Sequence, residues 1–297
     1  MHSHKVIEHF PKSMERFSDQ KCDKQKNLEP HSDLIRMGIA LELRKSINSI
    51  EGYKNSHANN NSDFLRTGAP SFDAALFGGI ALGKITELRP DAYLSEISML
   101  GFAIALAGTL LQKRTGDFVV VNDAYFTQEW GEIYAAGLQG FGILPHRILL
   151  INPQSRDHFQ SCMREVSSTT GLGAVLGLVS AKSGFDLTAA RKLQFAASQG
   201  GAPCLLASAY RAQGLCCAHL RLKIGPRQSR LPDWAWATHE NALAPLGAER
   251  WGIDIEKSRQ GAIGHFELEF SNETYNLCEP PILANRSDEF QIWPKSA

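Results

Sequence analysis

Short apolar runs alternate with amphipathic stretches through the middle of this 297-residue chain. Such runs are typical of strands covered on both faces, and five of them are found, at Ile85–Leu88, Phe118–Val121, Ile148–Ile151, Ala174–Val179 and Pro203–Ala207. Helical patterns lie between and beside them, at Ile97–Leu111, Thr127–Leu138, Asp157–Ser168 and Leu187–Ser198. Strands that alternate with helices predict an α/β fold with a mainly parallel central sheet.

The last third of the chain has a different pattern, because apolar and polar residues alternate there. The alternating runs are Ala218–Ile224, Arg250–Ile255 and His265–Phe270. Alternation is typical of antiparallel strands with one polar face, so these runs are expected to extend the central sheet antiparallel. Before the sheet, Ser71 is predicted to cap a short helix that ends at Gly78-Gly79.

The first 62 residues are polar and form a predicted N-terminal arm. One helix is predicted in it, at Ser32–Tyr53, where Leu34, Ile35 and later apolar residues recur at roughly helical spacing. A polar linker, Asn55–Asp63, leads into a core over residues 63–278, and residues 279–297 form a tail. The arm either packs on its own core or joins the chain to another protomer or partner, with Leu34 and Ile35 as contact candidates.

Composition excludes several classes of protein. Lys plus Arg and Asp plus Glu both number 31, so no global field attracts nucleic acid or an anionic membrane. The six cysteines form no C-x-x-C pair and no metal-ligand spacing, which suits a reduced cytoplasm. The N-terminus lacks the apolar run of a signal peptide, and Ile97–Leu111 is shorter than the roughly 18 residues of a membrane span. A cytoplasmic protein without metal is expected.

The stretch Gly83–Lys113 joins a predicted strand to a predicted apolar helix, and a phosphate-binding loop would lie at that junction. Such a loop requires glycines for close backbone approach, a lysine for the phosphates and a hydroxyl for Mg²⁺. The slot instead holds Arg89, Pro90, Asp91, Ala92, Tyr93, Leu94, Ser95 and Glu96. No glycine or lysine is present, and two carboxylates stand where phosphate charge would lie, so no cofactor is expected.

Three stretches carry a resemblance to known proteins. TGAPSFDAALFGGIALGKITEL (67–88) resembles the approach to the phosphate loop in RecA-type recombinases, with its threonine-glycine, aspartate-bearing small helix and glycine pair. DLTAARKLQ (186–194) and RWGIDIEKSRQGAIGHFELEF (250–270) resemble a narrower group, the RecA-like inducible-mutagenesis proteins of the ImuA family. The resemblance covers most of the chain, roughly Phe64–Phe270.

This resemblance implies a RecA-like core acting in SOS-induced, error-prone DNA repair. Members of the family act with a Y-family-polymerase-like partner, ImuB, with an error-prone replicative-type polymerase and with RecA. They are not known as stand-alone enzymes. The expected role is therefore that of a non-catalytic adaptor.

The chain also departs from RecA at the positions that hydrolyse ATP. Simple register puts Ala124 where a carboxylate would polarise the attacking water, with Asp123 one residue away. The magnesium-side strand ends at Val179-Ser180 rather than at an aspartate. Phosphoryl transfer depends on positioning and charge neutralisation by lysine and metal, so the sequence predicts a pseudo-ATPase with no catalytic residue.

DNA contact is predicted to be weak or absent. The connections that would hold single-stranded DNA are short and carry only Lys182, Tyr210 and Arg211, a thin version of a basic, aromatic track. Trp234 and Trp236 share a face in an extended chain and are either core residues or an anchor for a partner.

Two other functions remain open at this point. One is a SulA-type SOS cell-division inhibitor, which would bind the GTPase FtsZ rather than the polymerase machinery. The other is an active ATPase or a recombination mediator that binds single-stranded DNA. Nucleotide affinity, or salt-sensitive binding to single strands, would favour the latter.

Overall fold

The structure is a computed structural model that describes residues 63–229, 247–259, 261 and 263–280. The chain divides by its internal contacts into two units, Met1–Asn60 and Asn61–Ala297, and every described element belongs to the second. Several predictions lie outside the described residues, namely the arm helix Ser32–Tyr53 with Leu34 and Ile35, and the tryptophans Trp234 and Trp236.

Eleven strands and five helices are formed by the described residues. The strands are β1 (Phe64–Leu65), β2 (Ile80–Ala81), β3 (Ile85–Pro90), β4 (Phe118–Asn122), β5 (Ile148–Ile151), β6 (Ala174–Val179), β7 (Cys204–Ser208), β8 (Leu220–Pro226), β9 (Arg250–Ser258), β10 (His265–Ser271) and β11 (Asn276–Cys278). The helices are α1 (Pro70–Ala75), α2 (Glu96–Leu111), α3 (Ala124–Trp130), α4 (Arg156–Ser168) and α5 (Leu187–Gly200). Short 3-10 helices occupy Tyr93–Ser95, Ala135–Phe141 and Pro145–Arg147.

Nine of these strands form one sheet in the order β11-β10-β9-β8-β3-β7-β6-β4-β5. Every neighbouring pair from β8 to β5 is parallel, and the pairs among β8, β9, β10 and β11 are antiparallel. The five central strands predicted from the apolar runs are confirmed, and so is the mainly parallel α/β sheet. The short strands β1 and β2 pair separately.

One of the three late strands was assigned the wrong direction. The alternating run Ala218–Ile224 becomes β8, which pairs parallel with β3 and antiparallel only with β9. The alternation has another cause than a solvated antiparallel face, because Arg221 on β8 binds the buried Glu87 of β3. β9 and β10 run antiparallel as predicted.

Helices cover both faces of the sheet. On one face α2 packs against Leu88, Val120 and Leu176, and on the other α4 and α5 pack over Val119, Val175 and further strand residues. Gly108 lets the 3-10 helix Ala135–Phe141 approach α2 closely, since a Cβ at Gly108 would lie 2.2 Å from the carbonyl oxygen of Phe141. The segment Tyr93–Leu111 is long and apolar enough to span a membrane, but most of it is buried inside the fold, as in a core helix of a soluble protein.

Two helix predictions need correction. The prediction of one helix over Thr127–Leu138 is wrong at its centre. The helix α3 ends at Trp130, because Gly131 adopts a φ of 84° that terminates it. A 3-10 helix at Ala135–Phe141 takes over the rest of the pattern.

Ser71 does not cap α1, which begins one residue earlier at Pro70 with Ala69 as N-cap. The Ser71 N–H and hydroxyl instead donate to the Glu279 carboxylate, at 2.5 and 3.0 Å. A residue assigned to the tail thus supplies the acceptor that the start of α1 lacks locally.

Candidate functional site

The carboxyl ends of β3, β4, β6 and β7 meet at one edge of the sheet, because these strands are parallel. Ligands of open α/β sheets bind at such an edge, in the crevice outside the strand ends. The loop between β3 and α2 lies there, together with Asp123 after β4 and the connections that follow β6 and β7. We call this region the carboxyl edge.

The first half of the loop between β3 and α2 is held by neighbouring backbone. One Nη of Arg89 donates to the carbonyl oxygens of Ala212 and Tyr210, at 2.8 and 3.3 Å. Pro90 pairs with Ile224 of β8, and the Asp91 N–H donates to the Ile224 carbonyl oxygen at 2.9 Å. Arg89, Pro90 and Asp91 therefore tie β3 to the chain on both of its sides.

The second half of the loop enters α2 through Glu96, whose side chain is buried. One carboxylate oxygen accepts from the Tyr210 backbone N–H at 2.7 Å, and the other accepts from the Trp130 indole N–H at 2.8 Å. Glu96 is 2% exposed, so these bonds satisfy a carboxylate that has lost its water. The contact joins the start of α2 to the end of α3 and to the connection after β7.

Asp123, the acid nearest to the expected catalytic position, is also buried. Its carboxylate accepts from the Ser183 hydroxyl at 2.7 Å and from the Ser180 N–H at 3.2 Å. Ser183 is itself fully buried. Asp123 thus fixes the connection after β6 onto the end of β4, and Ala124 begins α3.

A third buried carboxylate, Glu87, lies further back on β3 and had no sequence signal. Both of its oxygens accept from the Leu215 N–H, at 3.0 and 3.1 Å, and one accepts from Arg221 Nε at 2.8 Å. Glu87 is fully buried and Arg221 is largely so. The sequence shows apolar and polar residues alternating over Leu220–Ile224. It does not show that Arg221 pairs with Glu87, because that contact depends on the strand order.

Exposed aromatic and aliphatic side chains lie at the same edge of the sheet as Glu96 and Asp123. Five large apolar residues at the carboxyl edge are 42–87% exposed, namely Tyr93, Leu94, Ile97, Tyr125 and Tyr210. We call this set the apolar rim. Large apolar side chains that are exposed to water and grouped at one edge commonly mark a binding surface. Tyr93, Leu94 and Tyr210 belong to the sequence candidates, whereas Ile97 and Tyr125 were missed.

Polar groups orient the rings of the rim. The Tyr93 hydroxyl donates to Glu129 at 2.8 Å, and the hydrogen bond and charge of Glu129 raise the pKa of Tyr93 above its usual value. Lys182 Nζ lies 4.5 Å from the centre of the Tyr125 ring, a cation–π contact. The three DNA-contact candidates Lys182, Tyr210 and Arg211 lie at the carboxyl edge, because they follow β6 and β7. Lys182 and Arg211 are both exposed.

Four further residues with titratable side chains can be placed in the structure. Asp186 is the N-cap of α5 and accepts from the Ala189 N–H at 2.6 Å. Burial raises the pKa of the Cys217 thiol to about 11, while its neighbour Cys216 is exposed. Within the described residues no three His, Cys, Asp or Glu side chains are grouped to hold a metal ion. His146 is exposed in the 3-10 helix before β5.

Comparisons with known proteins add no family. No protein-family model matches this sequence, and no curated protein matches it either.

Proposed function

We propose that this chain is a non-catalytic, RecA-like adaptor in SOS-induced, error-prone translesion repair. A mostly parallel sheet flanked by helices, with a loop and a buried helix after its central strand, is compatible with a RecA-like core. The motifs that resemble the ImuA family support the narrower assignment. Its partners would be an ImuB-like protein, an error-prone polymerase and RecA.

The observation that carries this proposal is the state of the carboxyl edge. Glu96 and Asp123 each accept two hydrogen bonds from donors of the protein itself, and no lysine is present between Arg89 and Glu96. What the edge offers to other molecules is the apolar rim. Exposed tyrosine, leucine and isoleucine side chains suit contact with a protein, since aromatic anchors dominate interface energies.

The rim gives the proposal a specific test. Leu94 is 87% exposed, so Leu94→Glu should leave the fold intact and lower partner capture at least tenfold by placing a charge in the contact. The tagged full-length chain would be recovered from DNA-damaged cells, and bound ImuB-like protein, RecA and FtsZ would be quantified. Leu144→Glu is the matched control, because Leu144 is 48% exposed and precedes β5 at the opposite edge.

Each outcome of that capture has a distinct meaning. Recovery of the ImuB-like protein or RecA, lost in Leu94→Glu but not in Leu144→Glu, supports the adaptor. Recovery of FtsZ alone would instead support the function of a SulA-type cell-division inhibitor. If both variants capture equal amounts of partner, the apolar rim is not part of the contact.

Nucleotide provides a second prediction. With the lysine missing and with Asp91 in the loop, we expect no Mg²⁺-dependent thermal stabilisation by millimolar ATP. A ligand at about 100 times its Kd adds about 2.7 kcal/mol of stability, which a melting curve resolves readily. A rise in melting temperature that requires both ATP and Mg²⁺ would contradict the pseudo-ATPase assignment.

The alternative with a specific observation behind it is contact with single-stranded DNA. Lys182, Arg211 and the rings of Tyr125 and Tyr210 bring cations and stacking surfaces to one edge. Binding of an oligothymidine that weakens steeply with salt, and is lost in Lys182→Glu, would favour this function.

A further inference from the structure

A second surface of the protein lies between α4 and α5, away from the carboxyl edge. The groove there has a volume of about 560 Å³ and is lined mainly by Arg164, Glu165, Arg191, Lys192, Phe195 and Gln199. Arg164 and Glu165 lie near the end of α4, whereas the other four residues run from the second turn of α5 to its end, and both helices cover the sheet face opposite α2. Since each helix leads back to the amino end of the next parallel strand, the groove approaches the other edge of the sheet.

The three cations that line the groove are not accounted for by ion pairs within the described part of the chain. Arg164, Arg191 and Lys192 are exposed, and none forms an ion pair with a described residue. The residues three and four positions away from each on its own helix include no acid, so helical charge pairs are absent.

The helix dipole does not account for them either. Its effect falls off within the last turn, and neither α4 nor α5 carries a basic residue in its last turn. Among the described residues, the three cations therefore form a positive surface with no ion-pair partner, and Glu165 is the only acid that lines the groove with them.

An exposed ring lies among these charges. Phe195 is 65% exposed, although a buried phenylalanine side chain stabilises a fold by about 1.5–3 kcal/mol relative to an exposed one. Leu187, 54% exposed, lies two turns earlier on the same side of α5, with Arg191 between them. At 1.5 Å per residue the stripe from Leu187 to Phe195 is about 12 Å long.

We propose that the groove between α4 and α5 is the docking site for an acidic amphipathic segment of a protein partner. Large apolar side chains of the segment cover Phe195 and Leu187, and its carboxylates pair with Arg164, Arg191 and Lys192. Leu187, Arg191 and Phe195 are four residues apart (i, i+4, i+8) and so share one side of α5, which gives an amphipathic segment a stripe to lie along. This inference stands on α4 and α5 alone and does not depend on the proposed adaptor function.

Charge complementarity selects a peptide over a nucleic acid. A continuous phosphate backbone would meet Glu165 beside Arg164 in the same groove, whereas a peptide can place an apolar residue there. A single-strand groove also presents successive aromatic platforms. Phe195 is the only aromatic residue that lines this groove in the described structure.

The probe is a displayed library of random peptides of about 18 residues, long enough to span about 27 Å as a helix. The full-length protein is used for selection, with counter-selection against the double variant Arg191→Glu/Lys192→Glu. We expect the enriched peptides to carry excess Asp and Glu around large apolar residues. Enrichment without acidic excess, or no enrichment at all, would overturn the proposal.

An enriched peptide is then synthesised and its affinity measured by fluorescence anisotropy. Arg191→Glu/Lys192→Glu should weaken binding at least tenfold, and Phe195→Ala several-fold, because the charges and the ring act together. All three side chains are exposed, so an unchanged melting temperature will verify that the variants fold.

The matched control is Arg66→Glu/Arg227→Glu, which makes the same change of net charge at two exposed residues outside the groove and should leave the affinity within about twofold. An equal loss in both double variants would mean a general charge effect and would reject the groove. Oligothymidine that displaces the peptide, and loses its own binding in Arg191→Glu/Lys192→Glu, would assign the groove to nucleic acid instead.

Discussion

Replacing Arg221 by Met is expected to lower the free energy of unfolding by about 3–5 kcal/mol, because it leaves the Glu87 carboxylate buried without a cation. Glu87 is fully buried, and Arg221 Nε lies 2.8 Å from it. Methionine keeps the apolar stem of the arginine and removes only its charge and donors. Denaturant unfolding measures the loss directly, and at about 2–4 °C per kcal/mol the melting temperature should fall by roughly 10 °C.

A second ion pair in the same sheet separates this effect from a general loss of charge. Arg227 lies 3.6 Å from Glu267 with both side chains more than a third exposed, so Arg227→Met should cost less than about 1 kcal/mol. In the double variant Glu87→Gln/Arg221→Met the Leu215 N–H keeps an acceptor and no charge stays buried. That variant should recover part of the loss, and a loss from Arg221→Met no larger than the control would refute the assignment.

The contacts of Glu87 support the carboxyl edge as well as the stability of the sheet. The salt bridge joins β3 to β8, and β3 leads directly into the loop at Arg89–Glu96. The same carboxylate holds the Leu215 N–H in the connection after β7, which also carries Tyr210. One buried acid therefore stabilises β3 and both of the connections that carry Tyr93, Leu94 and Tyr210 of the apolar rim.

The central sheet could be predicted from sequence because its signal is local. A strand covered on both faces must be apolar throughout, and Phe118–Val121 or Ala174–Val179 satisfies that requirement without reference to any other residue. The direction of β8 could not be predicted in that way. Its alternation records a buried ion pair with a strand more than 130 residues earlier, and such a partner follows only from the strand order.

The stretch that resembles RecA-type proteins has a physical explanation of its own. The Asp73 carboxylate accepts from the Thr67 N–H at 2.8 Å, from the Thr67 hydroxyl at 2.9 Å and from the Gly68 N–H at 3.2 Å. Gly79 has a φ of 117°, and a Cβ there would lie 2.2 Å from the Leu65 carbonyl oxygen. The threonine-glycine, the aspartate and the glycine pair are thus required by the local fold.

For the candidate site, sequence reasoning identified the position but not the contacts. The loop Arg89–Glu96, Asp123, Lys182 and Tyr210 were singled out from sequence, and strand order brings them to one edge. That Glu96 binds Trp130 and the Tyr210 N–H had no signal, since these groups come from three separate segments. The exposure of Ile97 was likewise hidden in a helix that is otherwise almost wholly buried.

Replacing Asp123 by Ala is expected to lower the free energy of unfolding by about 2–4 kcal/mol. The reason is that the Ser183 hydroxyl and the Ser180 N–H would lose the acceptor they share, and a buried polar group left without a partner costs about 1–3 kcal/mol. The sign of the change separates a structural acid from a catalytic one. Substituting a catalytic acid often leaves a protein equally or more stable, because active sites trade stability for function.

Chemical denaturation of the full-length chain, with and without Mg²⁺-ATP, measures that sign. Asp123→Asn keeps an acceptor oxygen near Ser183 and should recover part of the loss. Asp117→Ala removes an exposed carboxylate just before β4 and should change the stability by less than about 0.5 kcal/mol. If Asp123→Ala is as stable as the parent protein and abolishes a stabilisation by Mg²⁺-ATP that the parent shows, the carboxylate serves nucleotide chemistry and the pseudo-ATPase proposal is wrong.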